Sequence, residues 1–261
     1  MQFRDLDFKF DGIKGRDKQL KIVNIDNKSS ENIFGIDREI NEENIGIDEP
    51  LFLGVKKKCP SISITLMKMN NYGIPKAFKK NELLEICRWL FKEDYRPFIS
   101  YDNTGIVHYV LFTKGRDFEN CAREGYINLE MRLSAPYGYS NQLINFYEVR
   151  GKKIIDIYNN SNLDQFIYPD IEFELLSSDG NIEIINSTTN QKVIFTNLDD
   201  YEHIYVYNDA LRDVVSLKNN DKNIYKNFNK EWMKLAYGKN RIKIIGNCKI
   251  KFISQIPIAL T

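Results

Sequence analysis

"YGKNRIKIIGNCKIKF", residues 237–252, sets how the second half of this 261-residue chain is read. Ile242 and Ile244 alternate with Arg241 and Lys243, and after Gly246-Asn247 the residues Cys248, Ile250 and Phe252 alternate with Lys249 and Lys251. Successive side chains of a strand point to opposite faces. Each half is therefore a half-buried strand with an aliphatic core face and a lysine-rich solvent face. Glycine supplies the positive φ of a tight turn, so the stretch predicts a β-hairpin. It carries no catalytic group. A chain that ends this way is a catalyst, a sugar binder or a component of an assembly, and the remaining sequence has to decide which.

Most of the chain repeats the pattern. "PSISITLMKM" sets Ile62, Ile64 and Leu66 against Ser61, Ser63 and Thr65, the signature of a strand with one wet face. "MQFRDLDFKF" reads as the strand that begins the fold. "NIFGIDREINEENIGIDEPLFLGVKKK" reads as two extended arms around an acidic region. "KNELLEICRWLFKED" breaks the rule: Leu83, Leu84, Ile86, Cys87, Leu90 and Phe91 recur at helical spacing. Asn81 suits an N-cap there, and Glu82 and Glu85 suit the positive end of the helix dipole. Trp89 falls at the border of the stripe, where packing is favoured over ligand stacking. "SAPYGYS", with Pro136 and Gly138, interrupts the strands and marks a domain boundary. Beyond it, strands recur every 8–12 residues or so, as in a sandwich or jelly roll. "NKEWMKLAYGKN" is compatible with a local helix around Trp232 and Leu235.

The bulk numbers fit one large or two ordinary domains. A net charge of +1 shows no basic surplus for nucleic acid, and "KKK" at Lys56–Lys58 reads as a solvated edge before it reads as a phosphate site. No apolar stretch approaches the ~18 residues that span a bilayer, and the N-terminus resembles neither a signal peptide nor an anchor. Cys59, Cys87, Cys121 and Cys248 lack metal or redox spacing and are expected as reduced core or half-buried thiols of a protein made in a cytoplasm. The Asn-x-Ser/Thr triplets at Asn27, Asn159 and Asn186 read as polar loops.

The search for chemistry returns little. His108 and His203 sit in alternating strands without metal spacing. No nucleophile elbow, P-loop, dinucleotide fingerprint or zinc-protease motif is present. Asp199, Asp200 and Glu202 cluster in "NLDDYEH", but paired carboxylates hydrolyse glycosides only at defined separations, and a solvated turn is the favoured reading. "NIDNKSSEN", with Asp26 and Glu31, lacks calcium-loop spacing. The tyrosines of "YDN", "APYGYS" and "YEHIYVYN" suit a sugar-binding groove as well as a core or interface, with core or interface favoured. No cofactor or metal is implied.

The order of segments resembles the distal tail (Dit) proteins of long-tailed bacteriophages. The match runs through "FRDLDFKFDGI", "GIDREINEENIGIDEPLFLGV" with "SISITLMKM", the helix ending in "CRWLF" with "YRPFISYDNTGIVHYVLFTKG", and "GYINLEMRLSAPYGYS". In the second half it runs through "NSTTNQKVIFTNL", "EHIYVYN" and "WMKLAYGKNRIKIIGNCKIKFISQIPIAL". The resemblance covers nearly the whole chain. It implies a mainly β fold with an N-terminal sandwich or barrel-like ring-forming domain, 1–138, bearing one helix. A galectin-like jelly-roll sandwich, 139–261, would follow. It further implies a non-enzymatic homohexameric ring at the virion tail tip, assembled in the host cytoplasm. That ring would join the tail tube protein and tape-measure end to the hub or tail-associated lysin and carry receptor-binding protein. Phage-tail-like bacteriocins hold related rings. Within this picture the charges of Arg38, Glu39, Glu42 and Glu43, set against Lys56, Lys57 and Lys58, mark a hairpin that either reaches a neighbouring subunit or closes on its own domain. The competing readings are a lectin-like module for a cell-surface or cell-wall glycan and, behind it, a glycan hydrolase.

Overall fold

The computed structural model describes residues 7–23, 36–46, 48–70, 72–121, 124–208, 211–219 and 221–259. Asp26, Asn27 and Glu31 lie outside them, as does most of the opening strand. The chain divides into two compact units, Met1–Tyr139 with Ile258–Thr261, and Ser140–Pro257.

The first unit holds β1 (Phe8–Phe10), β2 (Ile13–Lys14), β3 (Leu20–Val23), β4 (Arg38–Glu43), β5 (Leu51–Lys57), β6 (Ser61–Lys68), α1 (Lys80–Leu90), β7 (Arg96–Ser100), β8 (Ile106–Cys121), β9 (Glu124–Leu133) and β10 (Gly138–Ser140). One sheet runs β2-β1-β7-β8-β9-β6-β3 with antiparallel neighbours. Alternation decides its buried face: Phe8, Phe10, Leu66, Phe98, Val110, Leu129 and Met131 lie in one core with Ile86, Trp89 and Leu90 of the helix. Trp89 is thus no border residue. It is buried, stacks on Phe8 at 5.9 Å and donates its indole N–H to the Phe10 carbonyl at 3.3 Å, which satisfies its only polar atom. Leu84 and Cys87, expected on the apolar stripe, are exposed. The helix starts one residue before Asn81. Glu82 accepts from the Lys79 N–H at 2.7 Å and pairs with the buried ammonium of Lys68, which fixes that start.

The second unit holds β11 (Leu143–Val149), β12 (Lys152–Asn159), β13 (Asp170–Leu175), β14 (Ile182–Asn186), β15 (Gln191–Phe195), β16 (His203–Tyr207), β17 (Asp213–Ser216), β18 (Gly238–Ile245) and β19 (Cys248–Ser254), and the short β20 (Pro257–Ile258) follows. Two sheets form, β11-β19-β13-β16-β17 and β12-β18-β14-β15. This is a β-sandwich, and its inner faces meet at Phe173 and Phe195, 5.1 Å apart.

The stretch 237–252 is not a hairpin. β18 pairs with β12 and β14, whereas β19 pairs with β11 and β13 in the opposite sheet. Gly246-Asn247 is the arch that carries the chain from one sheet to the other. The neighbouring corner, Arg150-Gly151 between β11 and β12, runs beside it. Gly246 donates its N–H to the Gly151 carbonyl at 2.8 Å, and Asn247 Oδ1 accepts from the Gly151 N–H at 2.9 Å. Both halves alternate because each buries one face, and alternation is blind to which strand lies alongside.

Residues 232–238 are extended rather than helical, and side-chain amides hold them. Asn208 donates to the carbonyls of Met233 and Pro169, Asn186 to Lys234 at 2.8 Å, and Asn159 to Leu235 at 3.2 Å. Asn240 both accepts from and donates to Ala236. All four asparagines are fully buried, so Asn159 and Asn186 are no polar loops. Apart from the bridge between Leu235 and Ile167, residues 232–237 have no strand partner among the described residues, and these amides bond their carbonyls instead. Glu202 departs from the solvated-turn reading in the same way. It is 1% exposed, and its carboxylate accepts from Ser216 at 2.6 Å and from Lys222 at 2.5 Å.

Candidate functional site

The β4–β5 hairpin stands apart from both cores. Its strands pair only with each other among the described residues. Every residue in them is exposed except half-buried Gly54. The register places Arg38 opposite Lys57, Glu39 opposite Lys56, Ile40 opposite Val55, Asn41 opposite Gly54, Glu42 opposite Phe52 and Glu43 opposite Leu51. A shift between Asn41 and Glu42 leaves Leu53 as the extra residue of a bulge, and Gly54 takes a φ of 128° beside it.

The pairing sorts the charges expected of an interface. Glu39 faces Lys56, and its carboxylate lies 3.6 Å from the Lys58 ammonium. The bond from the Lys58 N–H to the Asp37 carbonyl extends the ladder. Arg38 and Lys57 are like charges directly opposed, an arrangement that costs stability unless an outside carboxylate faces it. Glu42 and Glu43 meet Phe52 and Leu51, not lysines. The structure therefore brings Glu39, Lys56 and Lys58 together and leaves Arg38, Lys57, Glu42 and Glu43 without a cross-strand counter-charge.

The charge reading missed the apolar side chains. Ile40 and Phe52 are each 62% exposed, and Ile45, Leu51, Leu53 and Val55 between 47% and 54%. Ile40, Val55 and Phe52 share one face of the ribbon by register. An isolated two-stranded ribbon is marginal in water, and an exposed cluster of aliphatic and aromatic side chains is the kind of surface that interaction sites use. The signal was present in "LFLGV", which lacks the polar alternation of a half-buried strand.

Sites that could support catalysis are poor by comparison. A cleft of about 310 Å³ lined by Asp17, Lys18, Gln19, Lys68, Glu82, Glu85 and Ile86 has both of its lysines paired with its own glutamates, Lys68 with Glu82 and Lys18 with Glu85 at 3.7 Å. His108 is buried, and burial depresses its imidazole to about 4 against the opposing pull of Asp102. Of the three clustered carboxylates, Glu202 is sealed and Asp199 shares Lys222 with it. Among the described residues no group of three or more His, Cys, Asp or Glu could hold a metal, and no helix is long and apolar enough to cross a membrane.

Comparison with known proteins agrees with the architecture. Residues 3–135 match the phage tail protein N-terminal domain, and residues 137–254 match the phage tail C-terminal domain. The SPbeta prophage-derived protein YomH of Bacillus subtilis (strain 168) is 28% identical over 249 residues, which is 94% of each chain. Among solved structures, the SPP1 Dit protein superposes with a TM-score of 0.68 at 12% identity, over 96% of this chain and 99% of that one. A chain of the phage P2 baseplate in its activated conformation superposes with a TM-score of 0.55 at 9% identity, over 98% of each.

Proposed function

This chain belongs to the phage tail protein family and has the fold of a Dit protein, and from there we propose that it forms a homohexameric ring at the tail tip. As a structural protein of a phage tail or baseplate it acts through shape. Residues 1–138 build the ring, and the sandwich expected over 139–261 forms the galectin-like outer domain, except that Ile258–Thr261 group with the first unit. The ring joins the tail tube protein and tape-measure end to the hub or tail-associated lysin, carries receptor-binding protein, and catalyses nothing itself. A phage-tail-like particle would use it in the same way.

The observation that carries this reading is the solvated hairpin arm. A closed ring is held by head-to-tail contacts in which two different surfaces meet. An arm with Ile40, Val55 and Phe52 on one face suits the surface given to the next subunit. Arg38 and Lys57, opposed within the arm, would find their counter-charge there. A stable contact of this kind buries on the order of 800 Å² per partner.

The test is the mass of the purified protein by light scattering, with negative-stain imaging, for the native chain and for Ile40→Glu/Phe52→Glu. Hexamers with a central hole are expected for the native chain and monomers for the variant. Rings that persist in the variant would remove the arm from the interface. A native chain that stays monomeric even with its hub partner would overturn the ring.

A further inference from the structure

The outer face of the five-stranded sheet of the second unit carries an ordered row that neither the fold nor the ring requires. Register aligns Phe146, Lys251, Glu172 and Tyr205 side by side on β11, β19, β13 and β16. Strands lie about 4.8 Å apart, so the row spans about 14 Å. Phe146 is 55% exposed, and its ring forms one open end. At the other end Tyr205 and Tyr207 lie 4.5 Å apart. Asp170 fixes the Tyr205 hydroxyl, accepting its proton at 3.0 Å.

The centre is polar and held in place. Glu172 Oε1 accepts from Lys251 at 2.8 Å and faces His203 Nε2 at 3.0 Å. Burial alone would raise the Glu172 carboxyl. The hydrogen bonds and charges of Lys251 and His203 outweigh it and hold the group below the ordinary carboxylate range, so it is an ionised acceptor at neutral pH. Glu172 Oε2 has no partner among the described residues. The Lys251 ammonium has three donors and spends one on Glu172, leaving two toward solvent.

We propose that this face is a glycan-binding site, in which vicinal sugar hydroxyls bridge Glu172 and Lys251 and the apolar face of a sugar ring lies on Phe146. A carboxylate and an ammonium in hydrogen-bonding contact present one acceptor and one donor side by side, the complement of two adjacent hydroxyls. Charge-assisted bonds of this kind are the stronger ones. The sheet holds both groups before the ligand arrives, so little ordering entropy is lost on binding. Aromatic surface next to fixed polar groups matches the two-sided chemistry of a sugar, apolar on its C–H face and polar at its rim. The site does not depend on ring assembly.

The test is titration of the full chain with a panel of neutral oligosaccharides (N-acetylglucosamine trimer, maltotriose, lactose), read by saturation-transfer NMR and calorimetry. Saturable binding by at least one is expected. Glu172→Gln should weaken it about tenfold, and Phe146→Ala about fivefold. Tyr158→Ala, at an exposed position on the other sheet, should leave it unchanged. Phe146 is exposed, so its variant retains the fold and decides the matter even if Glu172→Gln does not. Absence of saturable binding up to about 10 mM of every probe, well above the millimolar range of weak sites, would overturn the site. So would binding that Phe146→Ala leaves intact, or a face that docks only protein.

Discussion

Among single residues, the buried polar groups tell most about this chain. His108 is 2% exposed with its imidazole depressed to about 4, whereas an unfolded histidine titrates near 6.5. The folded state therefore prefers the neutral ring. Its contribution is complete above about pH 6.5, and is lost as pH falls toward 4, because the unfolded chain takes up the proton first. The loss is about 3 kcal/mol. Urea unfolding between about pH 7 and pH 4 should show this slope in the native chain and a flatter one in His108→Gln. Asn208 is a second case. It donates two hydrogen bonds to the Pro169 and Met233 carbonyls from a fully buried site. Asn208→Ala should cost about 1–3 kcal/mol in chemical denaturation, since it orphans buried carbonyls. Asn159, Asn186 and Asn208 were indistinguishable from surface asparagines in the sequence, because an amide says nothing about whether its partners are water or backbone. Cys248 was legible as core. Burial pushes its thiol up to about 12, so it stays protonated and inert.

For the elements, alternation was legible and partnership was not. "SISITLMKM" gives β6 over Ser61–Lys68, and the apolar spacing of "ELLEICRWL" gives α1. The helix was legible because 3.6-residue periodicity needs no partner. The rotation of its stripe was not, since only the sheet beneath decides that Trp89 faces inward and Leu84 outward. The arch at Gly246 is the sharper case. Its φ is 135°, and a β-carbon at that position would lie 2.8 Å from the Asn181 carbonyl oxygen, which leaves no room for a side chain. Gly246→Ala should destabilise the second unit by about 1–3 kcal/mol, seen as a lower melting temperature. The β4–β5 ribbon was legible as two arms, though of its acidic residues only Glu39 faces a lysine across the pair. That its apolar side chains stay in water was not, because a hydrophobic run normally implies a core.

For the molecule as a whole, two units with separate cores should not unfold as one. Calorimetry should resolve two transitions, and lowering the pH from about 7 to about 5 should shift the one belonging to the first unit, where His108 lies. Coincident transitions that shift together would show the two cores to be coupled. The class of the molecule could be had from the chain alone: mostly β, one helix, a break near Gly138, no local catalytic motif, and an order of segments that resembles the tail family. All but the last follow from periodicity or composition, which are local; the resemblance rests on the order of the segments along the whole chain. Three-dimensional packing was needed to learn that β18 and β19 lie in opposite sheets, that amides hold residues 232–238, that Ile40 and Phe52 remain in solvent, and that Phe146, Lys251, Glu172 and Tyr205 form one row. These are facts of register between strands far apart in sequence. A period of two fixes which face a side chain takes, and leaves open what it will face.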